Sequence, residues 1–120
     1  MKHSIENVNF AMEKYLNILV MINHVVLFKL KKYSSESIKQ DQISTIEDAL
    51  LGLSDKIDEL KYIEVGVNYE LTTKAYDICL ITHFETVDEL DAYRIHPEHL
   101  KVGELIGLHA VERAAVDFEF

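Results

Sequence analysis

The stretch YRIHPEHLKVG, residues 93–103, gathers the side chains best able to move a proton in this chain. It holds Tyr93, His96, His99 and the only proline, Pro97. A histidine near its ordinary pKa of ~6.5 accepts a proton at neutral pH. A positioned base of this kind contributes about 10²- to 10⁴-fold to a rate. Pro97 suits the first position of a helix, where no backbone donor is lost. His99 then falls in the first turn, where the helix dipole disfavours the imidazolium and keeps the ring in the neutral form a base needs. Tyr93 can donate a hydrogen bond to a carbonyl or an enolate oxygen. His24 can reach His99 or a ligand across a gap between helix and sheet.

The same residues admit a structural reading. His96 and Pro97 then shape a helix start, His99 bonds a backbone carbonyl, and His24 is a satisfied core histidine. Metal binding by His96 and His99 is a third reading. H-x-x-H alone is a weak signal, and Pro97 keeps the two rings off one helical face. Neither a metal nor a cofactor is expected. With four glycines in the chain, a phosphate-cradling loop is excluded.

Several elements must position these residues. The 120 residues make one domain, and 48% hydrophobic content is enough for a core. INHVVLFKLK, residues 22–31, reads as a strand. One of its faces carries Ile22, His24, Val26, Phe28 and Leu30; the other has Val25 and Leu27. Both are apolar at the centre. A serine cap follows, from Ser37 with Gln40 or from Ser34 or Ser35. An amphipathic helix then carries Ile38, Ile43, Ile46, Ala49, Leu50 and Leu53. YIEVGVNYE, residues 62–70, is a second strand, with Gly66 marking a bulge or a close backbone approach. AYDICLITHFE, residues 75–85, is a third and central strand, forming a hairpin with the second. Thr86 and Glu89 form a capping box for a second helical region, which His96 breaks before Pro97. VERAAVDFEF, residues 111–120, is the last strand, with Ala114, Val116, Phe118 and Phe120 on its apolar face.

The order β-α-β-β-α-β predicts an α+β fold of the ferredoxin-like kind, a four-stranded antiparallel sheet with helices on one face. The uncovered sheet face is also apolar, so a homodimer through that face is expected. The formal net charge of −9 argues against nucleic acid. No apolar run has the roughly 18–20 residues of a membrane span. The first twenty residues lack the pattern of a signal peptide. No membrane partner is expected, and a cytoplasmic location is. Cys79, the one cysteine, sits in an apolar run and reads as an inert core thiol.

At the level of motifs, MINHVVLFKLK, VGVN, AYDICLITHFET, ELDAYRIHPEHLKV and the terminal VDFEF together resemble the stress-responsive α/β-barrel (Dabb) family. The combination of an early H-V-V-x-F strand, Y-x-x-H-P-x-H and a final D-[FY] strand carries the resemblance. It covers about residues 21–120 and implies a dimeric α+β barrel of two face-to-face sheets. Some members are enzymes, among them plant polyketide cyclases. That likeness implies His99 as general base, Tyr93 as its assistant, and His24 as the first-strand histidine. A further histidine of such cyclases is Ile78 here, so polyketide cyclisation is not implied. Three readings therefore stand. One is a stable dimeric barrel that binds a small apolar or aromatic ligand between helices and sheet. Another is a cofactor-independent cyclase, lyase or isomerase. The third is a module that meets a partner through residues 1–20. Those residues lie outside the resemblance. They are either an amphipathic helix, with Ile5, Val8, Met12, Tyr15, Leu16 and Leu19 toward one side, or a leader before a natural start at Met21.

Overall fold

The computed structural model describes residues 20–69 and 74–120. The expected leader helix lies, but for Val20, outside the described residues. The elements are β1 (Ile22–Leu30), α1 (Glu36–Leu51), a 3-10 turn (Gly52–Asp55), β2 (Tyr62–Val67), β3 (Ile78–Phe84), α2 (Val87–Ile95), α3 (Pro97–Gly107) and β4 (Ala110–Glu119). The sheet is antiparallel in the order β2-β3-β1-β4, which is the ferredoxin-like arrangement. β1 and β3 are the central strands, and their hydrophobic runs are the ones that need cover on both faces.

The parity of β1 sets everything above it. Ile22, His24, Val26, Phe28 and Leu30 all turn toward the helices and are buried. Ile78, Leu80, Thr82 and Phe84 of β3 lie in register beside them and are buried too. α1 starts where Ser35 caps it, its Oγ accepting the Ile38 amide at 3.1 Å. Of the serines weighed for this cap, Ser35 has the extended backbone that a cap requires. Ile43, Ile46 and Leu50 press onto the sheet. Ile38, expected on the same stripe, is exposed, because it sits in the first turn, beyond the sheet's reach. Leu53, Ile57 and Leu60 close the core below α1.

Two expectations about β2 and β3 change. Gly66 pairs with Cys79 in unbroken register. A Cβ built on Gly66 would sit 3.8 Å from the Cys79 Cβ, an ordinary contact. Neither bulge nor close approach is present there. The irregularity lies instead between Lys29 and Leu30, where β1 meets β4. Cys79, expected in the core, is half-buried on the face away from the helices. Burial and the nearby Glu64 raise its pKa, so the thiol stays protonated and poorly nucleophilic.

Asp77 ties the hairpin to the rest of the domain. Its carboxylate accepts the Leu30 amide at 2.7 Å and the Lys39 ammonium at 2.8 Å. The face away from the helices carries Val25, Leu27, Ile81, Val116 and Phe118, and no described element covers it. Val116 is 62% exposed and Phe118 46%. Among the described residues no helix is long and apolar enough to cross a membrane.

Candidate functional site

The site is built around one joint in the chain. Thr86 opens α2, its Oγ1 accepting the Glu89 amide at 3.1 Å. Glu89 completes the box one residue early, taking the Glu85 amide at 2.8 Å rather than that of Thr86. α2 then ends at His96, whose extended backbone (φ −62°, ψ 134°) is what a residue before proline must adopt. The same residue caps α3: its Nδ1 accepts the Glu98 amide at 3.1 Å. His96 therefore has the capping role foreseen for it, and its ring is occupied by backbone.

His99, one turn into α3, points the other way. Its Nδ1 lies 3.0 Å from the Arg94 carbonyl. A carbonyl only accepts, so Nδ1 carries the hydrogen and Nε2 keeps its lone pair. Burial lowers the pKa of the ring; the bond to the Arg94 carbonyl works against this, and the basic neighbours His24, Arg113 and Arg94 add to the lowering. Desolvation, not the helix terminus, is the leading cause of that lowering.

Tyr93 is fully buried beneath this ring, the two centroids 4.4 Å apart. His24, also buried, meets Tyr93 edge-on at 6.5 Å. The structure thus brings His24, Tyr93 and His99 together. Burial pushes the Tyr93 phenol up to about 12, so it remains a donor across the physiological range. Its hydroxyl has no hydrogen-bond partner among the described residues. An unsatisfied buried hydroxyl costs about 1–3 kcal/mol.

Three residues that sequence reasoning did not single out complete the constellation. Asp117 on β4 stands opposite His24 in the β1–β4 register and accepts from its Nδ1. Its second oxygen takes Arg94 at 2.9 Å. Asp117 orients both groups as the carboxylate behind a working histidine does. Arg113, four residues back along β4 and paired with Phe28, lies over the Phe28 ring at 5.3 Å. The signal for Asp117 and Arg113 was parity: both fall on the β4 face opposite Val116 and Phe118.

These groups border a cavity of about 300 Å³ between α1, α3 and the sheet. Val26, Phe28, Leu50, Leu80, Val102 and Ile106 give it apolar walls, and His24, His99, Arg94 and Arg113 supply its polar lining. Tyr93 lies behind the wall rather than in it. A larger hollow of about 600 Å³ opens by the β2–β3 hairpin, but no histidine or arginine faces it. The smaller cavity is the candidate site, because two histidines and two arginines line it together with apolar walls.

The pH response follows from the His99 shift. Below the ordinary value of 6.5 the unfolded chain takes up this proton before the folded one. His99 contributes nothing at high pH and subtracts stability as pH falls below that value. His83, lowered chiefly by burial, acts in the same direction. Melting temperatures between about pH 7.5 and pH 5.5 should therefore fall further for the wild type than for a His99→Gln variant. Parallel curves for the two proteins would show that the ring is not desolvated.

Comparison with known proteins bears on the family and the fold. Residues 22–120 match the Stress responsive A/B Barrel Domain family. A stress-response A/B barrel domain-containing protein of Arabidopsis thaliana is 29% identical over 85 residues, which are 68% of this chain. The match spans only 39% of that plant protein's length. A dimeric ferredoxin-like protein of unknown function from Bacteroides fragilis superposes with a TM-score of 0.76 at 33% identity, covering 83% of this chain and 96% of that one. A hydroxynitrile lyase from Passiflora edulis shares the fold, with a TM-score of 0.70 at 14% identity over 83% of this chain and 93% of its own. With the matched segment spanning every described strand and helix, the chain belongs to the stress-responsive A/B barrel domain family.

Proposed function

We propose that this protein is a homodimeric barrel that binds a small apolar or aromatic molecule in the cavity between its helices and its sheet. The carrying observation is the cavity itself: apolar walls, with the Nε2 lone pair of His99 left unused by the protein's own backbone. A pocket of this size with a few convergent polar groups is what small ligands require. The uncovered apolar sheet face supports the dimer, as does the dimeric Bacteroides relative.

A second reading rests on the His99 tautomer. A neutral ring held by a carbonyl on one nitrogen presents a base on the other. Next to a bound ligand with an acidic C–H or O–H, His99 would accept the proton. Tyr93, kept protonated by burial, would need a small shift of its ring wall to donate to the oxygen that gains charge. This is the chemistry of a cofactor-independent lyase or isomerase. It uses His99 as base, Tyr93 as donor, and His24 held by Asp117 as the group that orders the floor.

The test uses Gly103, which lines the cavity from α3. A Cβ there meets nothing within 4 Å. Gly103→Leu fills the cavity and also replaces a poor helix former, which favours the helix by up to about 1 kcal/mol. A panel of neutral aromatic and aliphatic compounds is titrated against the histidine NMR resonances. A compound that moves His99 in the wild type is expected to bind at least about tenfold more weakly to Gly103→Leu, whose melt stays as high. Unchanged binding to Gly103→Leu would place the ligand elsewhere. A panel in which nothing moves His99 would remove the cavity reading.

A further inference from the structure

The cavity's walls and its charges pull in different directions. The walls are hydrocarbon, yet every ionisable side chain that lines it is basic: His24, His99, Arg94 and Arg113. This occurs in a chain whose formal net charge is −9. Carboxylates nearby are already engaged. Asp117 is held by His24 and Arg94. Asp91 is held by Arg94 at 3.2 Å. Glu98 faces Lys56 at 3.8 Å and Lys101 at 3.3 Å.

Arg113 differs from Arg94. Among the described residues it makes no ion pair, and its contact is the face of Phe28. Phe28 is itself a wall of the cavity. A guanidinium whose contact is the face of an aromatic ring keeps its N–H donors free. Those donors form a fork that matches a carboxylate with two parallel hydrogen bonds. An arginine without a carboxylate, at the rim of an apolar cavity, is a group placed for an incoming anion.

We propose that the cavity takes ligands that are hydrocarbon or aromatic in body and carry one carboxylate, with Arg113 as the residue that holds the carboxylate and selects for it. This rests on the cavity reading above and gives it a substrate class. The body of the ligand lies between Val26, Leu80, Val102 and Ile106, and its carboxylate meets Arg113 at the β4 side. The ligand's other end then faces His99. Arg94, tied to Asp91 and Asp117, adds to the positive field without needing to move. A carboxylate held by Arg113 offsets that guanidinium's share in lowering the His99 pKa, so an acid should raise the His99 titration midpoint more than a neutral analogue does.

A matched pair separates charge from shape: 3-phenylpropanoate and 3-phenylpropanamide, measured by calorimetry and by His99 NMR on the full chain. The acid is expected to bind about tenfold tighter than the amide, the size of one net hydrogen bond to a charged group at an exposed site. In Arg113→Gln that gap should close while the amide's affinity stays the same. Arg113→Lys should restore part of it, since the charge returns without the fork. Raising the salt should narrow the wild-type gap. Equal binding of acid and amide to the wild type would overturn the carboxylate preference and leave the cavity reading standing. An acid preference that survives Arg113→Gln would overturn the role of Arg113. If neither compound binds, and none of the neutral panel moves His99, both readings fall together.

Discussion

Ile81→Asp and Val116→Asp are each expected to turn the proposed dimer into monomer or aggregate. Both positions lie on the sheet face that no described helix covers. That face presents Val25, Leu27, Ile81, Val116 and Phe118 in one continuous patch. A patch of this kind on a free monomer would be an aggregation hazard, and a second copy of the same face removes it. A two-fold interface repeats each substitution, so one mutation places two carboxylates in the contact. The effective penalty for an unpaired buried charge is several kcal/mol per ion. The dimer should weaken by at least about a thousandfold, which sedimentation velocity reads directly. Asp48→Asn, at an exposed position of α1 on the other side of the sheet, is the control and should leave the dimer intact. Unchanged sedimentation of both aspartate variants would remove the face-to-face packing.

The second large effect belongs to the aromatic pair under the cavity. Phe84 and Tyr93 are both fully buried, with ring centroids 4.9 Å apart. Phe84→Ala should cost about 3–5 kcal/mol, since the lost contacts leave a void that the packed sheet cannot collapse into. Against a total stability of roughly 5–15 kcal/mol, that shifts the denaturant midpoint severely. Tyr93→Phe should do the opposite. It removes a buried hydroxyl that has no partner among the described residues, so stability should hold or rise by about 1 kcal/mol. The contrast is the informative part. If Tyr93→Phe lowers stability by as much as Phe84→Ala, the hydroxyl has a partner and is no free donor. If it stabilises the fold but weakens a ligand that moves His99, the hydroxyl is kept at a cost in stability for binding.

Most of the fold was legible because its elements declare themselves locally. The two-residue alternation of β1 separated the set that faces the helices, His24 included, from the set on the other side. Thr86 with Glu89, and His96 before Pro97, marked the start of α2 and its junction with α3. Boundaries were less legible. β2 was read through residue 70, while its ladder stops at Val67. β3 was read from residue 75, while it begins at Ile78, just after Asp77, whose carboxylate takes Leu30 and Lys39. Ile38 fitted the helical period yet lies outside the contact, since period says nothing about where the sheet ends.

The site was half legible. His24, Tyr93 and His99 were named by the family resemblance, with their types and setting in support, and they do converge. Asp117, Arg94 and Arg113 were not. Their roles depend on the register of β4 against β1, a contact between residues 93 apart in the case of His24 and Asp117. No local pattern sets that register. The apolar side of β4 drew attention to Val116 and Phe118, and the charged side was the one that mattered for the cavity.

The bond between Asp117 and His24 also has a consequence in time. Synthesis delivers His24 early and Asp117 late, so the first strand waits for nearly all of the intervening chain before its histidine is fixed. Until β4 docks, the His24 ring lacks its anchor, Arg94 lacks one of its two carboxylates, and Arg113 has no Phe28 beneath it. Helices α1, α2 and α3 can form from local signals before that moment; the cavity's chemistry cannot. A nascent chain therefore passes most of its folding with an unready pocket, and ligand capture becomes a report that the last strand is in place. A ligand added during refolding should accelerate nothing before β4 pairs and should slow unfolding afterwards.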